Sequence, residues 1–169
     1  MKGAYSLLAI AVVLTSASSQ AEAPRWTIQV DPLTTVLGFV HVQVERALGD
    51  HASVYVGPSV RLFDPLEKSD GKYRGYGGEL GVRVFPWGGA PAGAWAEARG
   101  VLASLHTDAN GGASAIGGYA SVLGGYTWIF SERWVLAAGL GVQYLHYRVA
   151  GLGPVQVLPA AHTTLGVAF

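Results

Sequence analysis

The chain has 169 residues, no cysteine and only 13% charged residues, with eleven basic side chains against eleven acidic ones. That length holds a single domain. The balanced charge gives no argument for a nucleic-acid partner, and none is expected; the missing cysteines exclude a disulfide framework or a thiolate metal site. The 24 glycines are scattered among aromatic and branched residues and follow no collagen period.

The first 23 residues read as a cleaved secretory signal peptide. Lys2 is the positive flank, Ala4 to Leu14 the apolar core, and Ala21-Glu22-Ala23 a small-x-small cleavage site. Cleavage is expected after Ala23, with Ala21 as the alternative. The apolar run falls short of the roughly 20 residues that a spanning helix needs. Residues 24–169 then form the mature domain. Its longest uncharged run, Ala109 to Ser131, is interrupted by Gly pairs, each Gly costing a helix about 1 kcal/mol relative to Ala. This mature domain therefore enters a membrane, if it does so, as a closed barrel, the other architecture that satisfies every backbone group in lipid.

Eight segments carry the period of two that marks strands. The first, Trp26 to Val36, sets Trp26, Ile28 and Val30 against Thr27, Gln29 and Asp31, with an interruption at Pro32. The second, Phe39 to Ala47, sets Val40, Val42 and Val44 against His41, Gln43 and Glu45, and ends in a tight turn at residues 48–51. The third, Ala52 to Phe63, sets Val54, Val56, Val60 and Leu62 against Ser53, Tyr55, Ser59 and Arg61, before a polar loop from Asp64 to Gly75. The fourth, Tyr76 to Phe85, sets Leu80, Val82 and Val84 against Glu79, Gly81 and Arg83, and the breakers from Pro86 to Pro91 turn the chain. The fifth, Gly93 to Leu105, turns Trp95, Glu97 and Arg99 away from Ala94, Ala96 and Ala98. The sixth runs from Ala115 to Phe130, the seventh from Trp134 to Val149 and the eighth from Val155 to Phe169.

The charges decide which face is which. Within the proposed strands Asp31, Glu45, Arg61, Glu79, Arg83, Glu97 and Arg99 fall nearly all in one parity set, opposite most of the Val and Leu residues. Seven charges are too few to coat a soluble barrel. Inside a narrow barrel they form a network of four acids and three Arg, with His41 and His162 close by. Arg suits such a network because its planar fork binds carboxylates bidentately. The fold expected is all-β: an eight-stranded antiparallel up-and-down transmembrane β-barrel with a side-chain-filled interior. The seven charges are expected to be a structural plug that removes the cost of unpaired buried charge and lets little through. Trp26, Trp87, Trp128, Phe130, Trp134 and Phe169 fall at one set of strand ends, and Tyr73, Tyr76, Tyr144 and Tyr147 towards the other. Two such belts flank the apolar band of a membrane barrel.

The final strand alternates through Leu165, Val167 and Phe169, an ending that resembles the assembly signal of bacterial outer-membrane β-barrels. The whole mature chain resembles the small eight-stranded barrels of Gram-negative bacteria. More closely, it is similar to an outer-membrane-barrel-like family of no assigned function, through Asp31-Pro32-Leu33, Val44-Glu45-Arg46 and Gly125-Tyr126-Thr127-Trp128. It departs from that family's pattern at Asp31 and Val44. The resemblance implies an outer-membrane location. It implies contact with outer-membrane lipid including lipopolysaccharide, and passage through periplasmic chaperones and the barrel-assembly machinery. It brings no catalytic residue, and we expect a monomer.

Little other chemistry is visible. Ser104, His106 and Asp108 form the one triad-like string, but neighbours two apart on one strand are spaced only loosely for a relay. Some outer-membrane barrels are lipid A deacylases with a lipid-facing Ser, His and Glu; the order differs here and no Glu matches. His146 and His162 fall on opposite faces, so no metal site is expected, and no cofactor. Gly75-x-Gly77-Gly78 and Gly139-x-Gly141 lack the strand-turn-helix setting of a phosphate loop. The function expected is that of a non-enzymatic integral outer-membrane barrel with a structural or envelope-surface role. The alternatives are a lipid A-modifying esterase or deacylase, a narrow pore, and a carrier of a hydrophobic ligand.

Overall fold

A computed structural model of the chain describes residues 24–36, 39–61, 73–107, 113–148 and 155–169, with the backbone alone at Val36, Phe39, Arg61, Tyr73 and Thr107. The signal segment, Leu62, Phe63, Asp108 and the polar loop up to residue 72 lie outside the described residues. The elements are β1 (Trp26–Val30), α1 (Pro32–Val36), β2 (Phe39–Ala47), β3 (Ala52–Arg61), β4 (Tyr73–Val84), β5 (Gly93–Thr107), β6 (Ala113–Phe130), β7 (Trp134–His146) and β8 (Val155–Ala168). The strands pair antiparallel in sequence order and β8 returns to β1, closing the barrel. Closure is made by Trp26 and Phe169, each of which donates its N–H to the other's carbonyl, at 3.0 and 2.9 Å.

The stagger of the closed sheet follows from the pairing. Partners traced from Trp26 through Arg46, Val54, Val82, Ala98, Val122, Val142 and Pro159 return, by the β1–β8 register, to the level of residue 36, ten residues from the start. With ~3.3 Å per residue along a strand and ~4.8 Å between strands, a stagger of ten over eight strands tilts them by about 41°. Each residue then climbs about 2.5 Å along the barrel axis.

The expected first strand is cut short. β1 stops at Val30, and the chain from Pro32 is helical. Asp31 caps the turn: its Oδ1 accepts the Thr34 N–H at 3.0 Å, and its carbonyl accepts the Thr35 N–H at 3.2 Å. Pro32 occupies the first helical position, where its missing N–H costs nothing. The other strands keep their expected faces with shifted ends: β4 starts at Tyr73, β5 runs on to Thr107, β6 starts at Ala113 and β7 stops at His146. Among the tight connections, Phe130 O accepts the Arg133 N–H at 3.1 Å, with Ser131 and Glu132 at positive φ.

Inside, small residues stand opposite large ones. A methyl group added at Gly81 would overlap the Tyr55 ring, and one at Gly125 or Gly139 would overlap the Trp95 indole. These glycines leave the volume that the two aromatics fill. Phe85, Trp95, Ala47 and Ala90 form a buried apolar layer at the end that holds Trp26 and Phe169. Ala103, Leu105 and Tyr147 form another towards the opposite end, with Tyr119 packed against it. The charged residues lie between the two.

A charged interior behind an apolar wall

The parity of each strand decides what it contributes inward. β2 supplies His41, Gln43 and Glu45, β4 supplies Glu79 and Arg83, β5 supplies Glu97 and Arg99, and β8 supplies His162, all buried. Arg83 is the centre of one group and is 0% exposed. Its Nη1 donates to Glu45 Oε2 at 2.8 Å and its Nε to Glu97 Oε2 at 2.7 Å. Its guanidinium lies 5.0 Å from the Tyr55 ring centre and 4.8 Å from that of Trp95, so cation–π contact supports the ion pairs. Glu45 is further satisfied by Ser53 at 2.5 Å, Gln29 at 2.8 Å and Thr27 at 3.3 Å. Thr164 donates to Gln29 from β8, which ties the seam strands into the same network.

A second group sits one layer further along the axis. Arg99 Nη2 donates to Glu79 Oε2 at 2.6 Å, and His41 Nδ1 lies 3.4 Å from the same oxygen. Arg99 also lies 5.4 Å from the Tyr119 ring centre. His162 joins the first group to Asp31, between β1 and α1: its Nδ1 is 3.2 Å from Glu97 Oε1 and its Nε2 is 3.9 Å from Asp31 Oδ2.

Of the seven charges singled out from sequence, five form these two groups: Glu45, Arg83 and Glu97 in one, Glu79 and Arg99 in the other. Asp31 is buried with them and meets His162 rather than an Arg, at 3.9 Å. Its Oδ1 accepts from the Thr34 N–H and from Thr163 Oγ1, at 3.0 and 3.4 Å. The Arg61 backbone pairs with Phe39 and Gly75 at the end of β3, and its side chain lies outside the described residues. The pairing within the two groups is incomplete: Glu79 Oε1, Arg83 Nη2 and Arg99 Nε are buried without a hydrogen-bond partner. Each carboxylate that pairs with an Arg is engaged on at least one oxygen, and among the described residues no group of three His, Cys, Asp or Glu could hold a metal.

The outer wall is the inverse. Leu140 is 73% exposed and Leu102 70%, and Val56, Leu80, Val82, Val122, Val142 and Val157 are exposed as well. Among the described strand residues, the outward charges are Arg46 at one rim and Arg74 towards the other, with the apolar band between them. Trp134 and Tyr144 bound that band on β7. They are ten residues apart, a height of about 25 Å at this tilt. Trp26, Trp128, Phe130 and Phe169 are exposed at the level of Trp134, and Arg46 lies 5.1 Å over the Trp26 ring. Tyr76 is exposed at the Tyr144 end, but Tyr147 is not part of that belt. It is 8% exposed and packs inward on Ala103 and Leu105. The Tyr73 side chain lies outside the described residues.

The remaining sequence candidates separate. His106 Nδ1 meets Ser114 Oγ at 2.9 Å across the β5–β6 ladder. His106 and Ser114 are exposed and Ser104 is half-buried on the same outer face. His146 is exposed and His162 buried, so they do not share a site. Leu165 and Phe169 are exposed and Val167 half-buried.

Two features escaped the sequence. The cap at Asp31 had a signal, an acidic residue directly before Pro, which is a helix-start pattern. The aromatic stack around Arg83 had a weaker one, inward-parity glycines on the strands next to Tyr55 and Trp95. The chain matches no protein-family model, and comparison with curated proteins and with solved structures returned no similar protein.

Proposed function

We propose that the chain is a non-enzymatic integral outer-membrane β-barrel protein whose lumen is filled, with a structural or envelope-surface role. The observation that carries this is the inverted surface. Apolar side chains cover a band about 25 Å high between two aromatic levels, the height of the lipid-facing band of membrane barrels. The charges, which a soluble barrel needs outside, pair within. The signal-like N-terminus and the Leu165-Val167-Phe169 alternation favour the bacterial outer membrane and its assembly machinery. They also favour contact with lipopolysaccharide. Apolar layers above and below two ion-pair groups favour a barrel that conducts little over a pore.

The experiment is cell fractionation with a gel of boiled and unboiled samples. The expected result is protein in the outer-membrane fraction with a different mobility before boiling. Release by osmotic shock with one mobility would contradict the reading and favour a soluble carrier.

A second reading rests on the His106–Ser114 contact, an imidazole and a hydroxyl within hydrogen-bond reach at the outer face. That is the first requirement for an activated serine, and it shifts the candidate nucleophile of a lipid A esterase from Ser104 to Ser114. Unchanged lipid A masses on overexpression of the wild type would remove this reading.

A further inference from the structure

The wall is uneven at one seam. β1 pairs with β8 only from Thr27↔Ala168 to Val30↔Leu165, while β8 continues from Leu165 back to Val155. On β8, Thr163, Ala161 and Pro159 share the alternation of Phe169, whose peptide group bonds Trp26. Their peptide groups therefore face the place that β1 has left. Pro159 has no N–H to offer there, which protects an open edge from strand addition. α1 packs against both β2 and β8 and covers the seam.

Behind α1, Asp31 Oδ2 and His162 Nε2 are buried 3.9 Å apart, and neither has a hydrogen-bond partner. Asp31 is 1% exposed and His162 2%. Of the four described interior carboxylates, Asp31 alone has no guanidinium beside it. An ionised carboxylate only accepts, and an imidazole nitrogen can accept, so a cationic donor satisfies both. Outside the seam the surface is apolar, with Leu33, Val157 and Ala161 exposed.

We propose that the β1–β8 seam is a lateral site for a single-chain amphiphile with a primary ammonium head. The head donates to Asp31 Oδ2 and His162 Nε2, and the chain lies along Leu33, Val157 and Ala161. The site rests on the membrane-barrel reading, because it opens from the apolar band. Admission of the head needs α1 to shift, and a five-residue helix has little stability of its own.

The test uses the full mature barrel in an uncharged maltoside detergent, with folding checked by boiled and unboiled gels. Tetradecylamine, tetradecanol, tetradecanoate and butylamine are titrated by calorimetry. Saturable binding of tetradecylamine at one site per barrel is expected, at least tenfold weaker in Asp31→Asn, which keeps a helix cap but removes the charge. Should Asp31→Asn not fold, Leu33→Trp, which crowds the seam without touching the network, is expected to weaken binding as well. Tetradecanoate or butylamine binding as tightly as tetradecylamine, no binding by a heat-modifiable barrel, or a folded variant that binds like wild type overturns the proposal. A wild type without the mobility shift fails differently, because it removes the membrane reading itself.

Discussion

The β5–β6 wall and the β1–β8 seam are built from one chain to different standards. β5 and β6 pair without a break from Gly93↔Thr127 to Thr107↔Ala113, whereas β1 and β8 pair over four residues. The interior follows the wall. Glu79, Arg83, Glu97 and Arg99 project from β4 and β5, where the ladder is long, and all take part in ion pairs. Asp31 projects at the seam, where it caps a helix turn and meets His162, at 3.9 Å, with no described Arg beside it. A continuous ladder fixes side chains at known spacings and so completes a charged network. A broken ladder leaves carboxylates to local backbone.

The largest expected effect is at the well-built side. Arg83→Ala leaves Glu45 and Glu97 buried without their cation, and breaking such a pair costs about 3–5 kcal/mol. Urea unfolding in detergent should record that loss, and a change below about 1 kcal/mol would mean that the network is hydrated and the contrast with the seam is false. Next comes Gly139→Val, which drives a side chain into Trp95; overpacking of this kind costs about 1–3 kcal/mol. Asp31→Ala removes the cap and should cost about 1 kcal/mol, with Asp31→Asn closer to wild type. Hydrogen exchange should localise the Asp31→Ala effect to α1 and its β8 neighbours. Faster exchange in β5 and β6 as well would show that the seam and the far wall open together. The smallest effect is expected for Arg46→Ala at the exposed rim. Trp26 emission should change as the contact over its ring is lost, with the unfolding midpoint in place.

Much of this was legible because a strand's period is two and its burial is one-sided. Once Val40, Val42 and Val44 face out, Glu45 must face in, and the same holds for Glu79, Arg83, Glu97 and Arg99. Parity does not give register, so the sequence could not say that Arg83 reaches Glu45 across β3, or that His162 reaches Glu97. Those contacts depend on turn lengths and on the stagger at closure. Tyr147 was misplaced because height along the strand was weighed and parity was not: it shares the inward parity of Val135 and Ala137. Asp31-Pro32 was read as a strand interruption because the alternation before it was strong, and the local cap prevailed over that pattern. His106 was matched to Ser104 along the strand, while its hydrogen-bond partner Ser114 lies across the ladder, a neighbour that only register supplies.

The central claim is that the apolar wall faces lipid and the charges face inward. The absence of cysteine allows single cysteines at Ala137, Leu140 and Val142 of the reconstituted barrel to carry nitroxide labels. Collision with oxygen, which concentrates in lipid, is then compared with collision by a water-soluble nickel complex. Labels at Leu140 and Val142 should favour oxygen strongly, and the label at Ala137, which points inward, should be shielded from both. Preferential contact of Leu140 and Val142 with the nickel complex would place the apolar wall in water and contradict the account.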